Sequence, residues 1–498
     1  MSKQATADEG VSPTNLNVQA AETADQQPVV VPDRFESLQR KAGSKLSTIV
    51  QPVDASLKII DSVFTRMHGA ERGAFLIMRG PSGAGKSTFL HTIDLYRDDV
   101  RTESVPGGVQ IREYLRTFEP GDQRLTVLVL EEREAATSFS DSELEDWLHA
   151  INGFIRSEKG SKALVVWPCN TDELRDRVVE LAGKVGGSSL LGTGTPWHDF
   201  SGPPKSSYIK IAENTLSTLN QMATLSDLGL TVENLELSAS KANTIGTFLA
   251  HVHDQIEKAS NTVESLLEKE QCRLWVIVAA ASDVEGDVAG LTRGRFAQID
   301  TERLMASTGA NIVQDLKNYP DKVGILGTVM DARILHLPIL AASSIARGFA
   351  DDSLKVTMKG AGLSLKPDSQ GPVLERLKQT ELASIFASGT QGVLARGGKP
   401  GSESIEAFRK LANIASNNDT ALNRALGRAL VAAGLIDSFE VEKDFGTGMK
   451  RKTDILAKTP SGPIRIEVMW RSSTGRAEIA NYVLTKLANY GRALQFLD

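Results

Sequence analysis

The chain has only two cysteines in 498 residues, Cys169 and Cys272. Two thiols make neither a disulfide framework nor a metal-ligand cluster, which fits a reducing cytosol, and each reads as a small buried hydrophobe near a strand. No apolar run approaches the ~18–20 residues of a membrane span, and the N-terminus carries no signal-peptide apolar region. A soluble, cytoplasmic protein without a membrane partner is expected. There is also no excess of positive charge. A formal net charge of -6 excludes a wholly basic nucleic-acid binder and confines any such activity to a local patch. Hydrophobic residues make up 41% of the chain, enough for packed cores. The length is too great for one core, so about three domains of ordinary size are expected.

The most informative stretch runs from Ala74 to Leu90, A-F-L-I-M-R-G-P-S-G-A-G-K-S-T-F-L. An apolar run, a glycine-rich turn and a helix start follow one another. The glycines Gly80, Gly83 and Gly85 permit positive φ and bring backbone N–H groups close to an anion. Lys86 then reaches the β/γ-phosphates and Ser87 is placed to ligate Mg²⁺. The stretch Gly80, Pro81, Ser82, Gly83, Ala84, Gly85, Lys86, Ser87 resembles the Walker A motif of P-loop NTPases, with Thr88 following. The resemblance implies ATP as ligand and Mg²⁺ as cofactor.

Residues 1–33, rich in Ala, Gln, Thr and Asp, read as a disordered tail. Apolar spacing from Phe35 to Met67 predicts one or two helices leading into the P-loop strand. The run Leu125–Leu130 reads as a strand buried on both faces and ends in Glu131 and Glu132, where an open α/β sheet holds its ligand. It resembles Walker B with Glu131 in place of the usual Asp. By that resemblance Glu131 holds Mg²⁺ and Glu132 orients the attacking water. Ser140 and Glu143 form a capping box for the next helix. A further buried strand, Ala163–Pro168, leads to Asn170, which resembles sensor 1 of AAA+-type ATPases. Asn170 with Glu173 equally makes a capping box. Ser207–Ile211 is expected as a fifth strand. The order of elements resembles an additional-strand ATPase core over 34–211. Helical spacing over 212–269 resembles an ATPase lid, although no arginine lies in that segment. Arg175 and Arg177 stand where an inter-subunit arginine finger, or simply a solvated helix face, would be.

Beyond the lid, 270–398 reads as a mixed α/β middle region of unassigned role, and Gly397–Ser402 as a domain linker. Over 399–498, two helical patterns, three strands and a last helix follow. This α-β-β-β-α order, with Asp454 on the second strand and Glu467 on the third, resembles the PD-(D/E)xK nuclease-like fold. Alternation puts Ile464, Ile466 and Val468 on one face and Arg465, Glu467 and Met469 on the other. Two converging carboxylates suit a Mg²⁺ ion for phosphodiester cleavage. Met469 occupies the position where the motif has lysine. Lys486, from the following helix, and Arg471 are the replacements to consider. From Gly401 onward there are 14 Lys and Arg against 11 Asp and Glu, and Lys450, Arg451 and Lys452 form a basic run before Asp454. This suits a backbone phosphate or a solvated turn.

The fold class expected is therefore α/β: a P-loop core with a helical lid, a middle α/β region and a restriction-endonuclease-like C-terminal domain. The function expected is an ATPase whose nucleotide state gates a Mg-dependent DNA nuclease-like module, an architecture that resembles genome-maintenance and anti-phage defence proteins. The partners expected are DNA, further copies of the chain, and proteins of unspecified identity. Two alternatives stay open: an ATP-switched DNA-binding or scaffold protein with a degenerate nuclease fold, and a signalling ATPase with protein partners.

Overall fold

A computed structural model describes residues 29–121, 124–135, 139–267, 273–365, 370–392, 399–445 and 452–497. Its first sheet is parallel throughout and joins β1 (Ala74–Arg79), β2 (Val100–Val105), β3 (Leu125–Leu130), β4 (Ala163–Cys169) and β5 (Trp197–Asp199) in the order β2-β3-β4-β1-β5. The strand β4 thus lies between β1, which leads into the glycine-rich turn, and β3, which is followed by Glu131. Continuous runs such as Ala163–Cys169, buried at every position, form a sheet covered by helices on both faces. One face packs on the helices Asp141–Ile155 and Asp172–Val185, the other on Asp54–Ala70 and the short loop helix Lys86–Leu90.

The expected fifth strand at Ser207–Ile211 is corrected: β5 lies earlier, and Tyr208–Leu219 is a helix. Its buried residues Tyr208, Ile211, Ala212, Thr215 and Leu216 recur at three- and four-residue spacing, which is helical rather than alternating. The segment expected as the lid continues through the helix Val232–Lys241 and the long helix Ile245–Leu267. Residues 29–33, expected within the tail, belong to this unit. Val29 and Val31 pack on the lid core, and the Val30 N–H donates to Asn220 Oδ1 at 2.7 Å. The remainder of the expected tail lies outside the described residues.

A second sheet combines the last two segments of the chain. Its order is β10 (Ser438–Asp444), β11 (Lys452–Thr459), β12 (Gly462–Arg471), β6 (Arg273–Ala280), β9 (Arg333–His336), β8 (Gln298–Ile299) and β7 (Thr292–Arg293). The pairs β10–β11 and β11–β12 are antiparallel, whereas β12–β6 and β6–β9 are parallel. The expected division at 398/399 is therefore not a boundary between sheets, since β6 lies between β12 and β9. Local patterning reports which residues pair with a core but not which distant strand supplies the neighbour. Of the expected linker Gly397–Ser402, residues 397 and 398 lie outside the described residues, and Ser402 already opens the helix Ser402–Asn417.

Candidate functional site

The phosphate loop is held open by backbone geometry. Gly83 and Gly85 have φ of 79° and 94°, left-handed values that side chains other than glycine's seldom adopt. A Cβ on Gly80 would lie 2.5 Å from the Phe200 carbonyl oxygen, so the loop sits directly on the chain leaving β5. Ser82, Gly83, Gly85, Lys86, Ser87 and Thr88 line a cavity of about 700 Å³, whereas Gly80, Pro81 and Ala84 are not part of its lining. The Lys86 side chain is buried, and its Nζ donates to Gly80 O at 2.6 Å, Pro81 O at 3.1 Å and Asn170 Oδ1 at 2.7 Å. Burial pulls its pKa down to about 8, against the opposing pull of Glu134.

Asn170 is thus brought to Lys86, 84 residues away in sequence. It does not cap the next helix. Thr171 does so, accepting the Leu174 N–H, and the capping box expected from Asn170 and Glu173 is not formed. The box at Ser140 and Glu143 is formed.

The acids after β3 take three different positions, although all three line the cavity. Glu131 accepts hydrogen bonds from His91 Nε2 at 2.6 Å and Ser104 Oγ at 2.8 Å, both on Oε1. The His91 contact chiefly holds its carboxyl below the usual range. Oε2 takes no hydrogen bond among the described residues. Glu132 is exposed and left-handed, with φ of 58°, and its side chain lies against Gly107. Glu134, which sequence reasoning passed over, is half-buried, and burial raises its pKa. Its carbonyl accepts the Asn170 N–H at 3.0 Å, which ties it to the residue that touches Lys86. The cause of this arrangement is Arg133, only 2% exposed. Its guanidinium turns inward and donates to the carbonyls of Val105, Pro106, Gly107, Val109 and Glu131.

The start of the helix Ile245–Leu267 and the residues before it border the cavity with backbone and hydroxyl groups. Gly246 N donates to Gly83 O at 2.9 Å, and Thr244 and Thr247 line the same space. Arg175 and Arg177 are engaged within the chain, with Asp172 and Asp176 and with Asp141 respectively.

A second constellation lies on the second sheet, where Asp454, Glu467 and Lys486 come together. Asp454 stands one step beyond the Ile455–Ile466 pair, and its Oδ2 accepts the Val468 N–H at 2.7 Å. Glu467 is 1% exposed. Its Oε2 is paired with Lys486 Nζ, and Oε1 accepts from Tyr490 OH at 3.1 Å. Burial first, then the Glu467 charge, pushes Asp454 up to about 7; burial likewise raises Glu467. Met469 faces the same helix layer as Glu467 and is fully buried, so it contributes packing. Arg471 turns to Glu478 at 3.3 Å. The opening beside the pair, lined by Lys452, Thr453, Glu467, Lys486 and Tyr490, holds about 40 Å³. Of the basic run, Lys452 is exposed, whereas Lys450 and Arg451 lie outside the described residues. Sequence reasoning placed Tyr490 on an apolar face and missed its hydroxyl; a tyrosine on a helix over a strand carboxylate was the available signal.

No family model matches the chain, and no curated protein matches it. Among solved structures it is similar to one described as "Structure of the Aeropyrum Pernix ORC2 protein (ADPNP-ADP complexes)", at 12% identity over 88% of this chain and 94% of that chain, with a TM-score of 0.30.

Proposed function

We propose that the chain is an AAA+-like P-loop ATPase in which nucleotide state controls a C-terminal, Mg-dependent nuclease-like site acting on DNA. The observation that carries the ATP half is the meeting of Lys86 with Asn170 over a loop that excludes a Cβ at Gly80, on one cavity with Ser87 and the acids after β3. Lys86 now gives its protons to two loop carbonyls and Asn170. A triphosphate entering the cavity offers stronger, charged acceptors for the same ammonium, while Asn170 keeps it aimed.

The residues also fit a hard cation. Ser87 offers a hydroxyl, and Glu131 offers an ionised carboxylate whose Oε2 is uncommitted among the described residues. When bound, Mg²⁺ there supplies charge neutralisation of the phosphates. His91 and Ser104 orient Glu131 from behind, fixing which oxygen faces the cavity.

The gating half is supported by the helix Ile245–Leu267. Its first turn binds the phosphate loop through Gly246, and its last turn buries Val263 and Leu267 in the core beneath the second sheet. A shift of the phosphate loop is thereby delivered to the layer that carries Asp454 and Glu467.

The nuclease-like assignment rests on Asp454, Glu467 and Lys486 meeting on neighbouring strands and their covering helix. One observation favours the second reading, a DNA-binding switch without cleavage: both Glu467 oxygens are occupied and the opening is small. Cleavage of plasmid DNA with Mg²⁺, with and without ATP, separates the two. Cutting by the wild type that is lost in Glu467→Ala supports a working metal site. DNA retention in a gel shift without cutting moves the assignment to the switch. Neither cutting nor DNA binding removes the nucleic-acid half of the proposal.

A further inference from the structure

The acid expected to polarise the attacking water, from the resemblance to Walker B, is Glu132. The geometry points to a different residue: we infer that Glu134 is the water-polarising acid of this site, with Glu131 the metal ligand and Glu132 dispensable for turnover. The inference rests on the nucleotide reading above.

Three observations carry it. First, the inward turn of Arg133 spends the two positions after β3 on a tight bend. Its guanidinium is clamped by carbonyls from the segment after β2 as well as by Glu131 O. Glu132 is left at the outside of that bend with a left-handed backbone, its side chain laid along Gly107. Second, Glu131 is already fixed by His91 and Ser104 on one oxygen, an arrangement suited to ligation rather than to moving about a water. Third, Glu134 enters the cavity on the side of Lys86 and Asn170. Its carbonyl holds the Asn170 backbone, and its carboxylate Oε1 accepts the Glu132 N–H at 3.2 Å. The Glu134 charge opposes the effect of burial on the Lys86 ammonium. Burial raises its pKa, the direction that makes a carboxylate a better proton acceptor.

The step balances simply. The water oxygen forms a bond to the γ-phosphorus as the bond from that phosphorus to the β,γ-bridging oxygen breaks. ADP leaves with the bond's electron pair, and the water proton passes to the Glu134 carboxylate, which later returns it to solvent.

The test compares Glu134→Gln, Glu132→Gln and wild type for MgATP affinity, by displacement of a fluorescent ATP analogue, and for phosphate release. Glu134→Gln should bind ATP within about threefold of wild type yet release phosphate about 100-fold more slowly or worse, and Glu132→Gln should stay within about threefold in both. Wild-type turnover should fall as pH drops through the raised carboxyl value of Glu134 with ATP affinity unchanged, and the residual turnover of Glu134→Gln should be flat over that range. A purely structural role would not produce that flattening. Turnover lost in Glu132→Gln and kept in Glu134→Gln overturns the assignment while leaving the nucleotide reading intact. A wild type that binds no ATP overturns both.

Discussion

Asp454 is the residue whose surroundings make the sharpest prediction. Its pKa of about 7 lies far above the ordinary aspartate value, because it is buried beside Glu467. Between the unfolded and folded values the native state holds a proton that the unfolded chain has released, so stability falls as pH rises through that window. Asp454→Asn removes the proton dependence and keeps an oxygen for the Val468 N–H. In chelator, the variant should match wild type near pH 4 and exceed it by about 1–3 kcal/mol at pH 8, read from denaturant midpoints. A wild type whose stability rises over that range would refute the buried-pair description. At this scale the sequence was informative where chemistry is local. The glycine-rich turn with its left-handed Gly83 and Gly85 was legible from spacing, and the phase of Lys486 on its helix pointed to Glu467. Glu134 was not legible, because its place depends on Arg133 turning inward to find carbonyls 24–28 residues earlier.

At the scale of elements, the join between lid and second unit is tight enough to act as a rigid coupling. Asp227, 1% exposed, lies within the lid between the helices Tyr208–Leu219 and Val232–Lys241 and accepts from the Thr301 N–H at 3.3 Å, with Arg293 at 3.6 Å. The helix Pro320–Val329 meets it at Gly324, where a Cβ would stand 1.9 Å from Ser226 O. Gly324→Ala should therefore push the helix off the lid and cost about 1–3 kcal/mol, seen as a lower denaturant midpoint. Gly286→Ala, with nothing within 4 Å of the added Cβ, serves as the comparison and should not be destabilising. Equal effects at both positions would argue against a close join. Most helices and strands here were legible from periodicity, including β3, β4, β12 and the C-terminal helix. Ser207–Ile211 was misread because five residues that begin a helix offer too short a window to separate the two periods.

At the scale of the molecule, the sequence suggested separate middle and C-terminal domains, and the structure interleaves them in one sheet. Strand partners 190 or so residues apart, such as Ile464 and Arg273, leave no mark on either local pattern. The consequence for function is that the carboxylate pair sits in the same packed body that receives the end of the helix Ile245–Leu267. That helix has 23 residues, a length of about 35 Å if straight, and begins at the phosphate loop. The proposed nucleotide site and the carboxylate pair are thus joined through one helix. The measurement that tests this account most directly is ATP binding and turnover by wild type and Lys86→Ala with Mg²⁺. The account predicts binding and phosphate release by wild type and loss of both in the variant; a wild type that binds no ATP, or a variant that turns it over equally well, would contradict it.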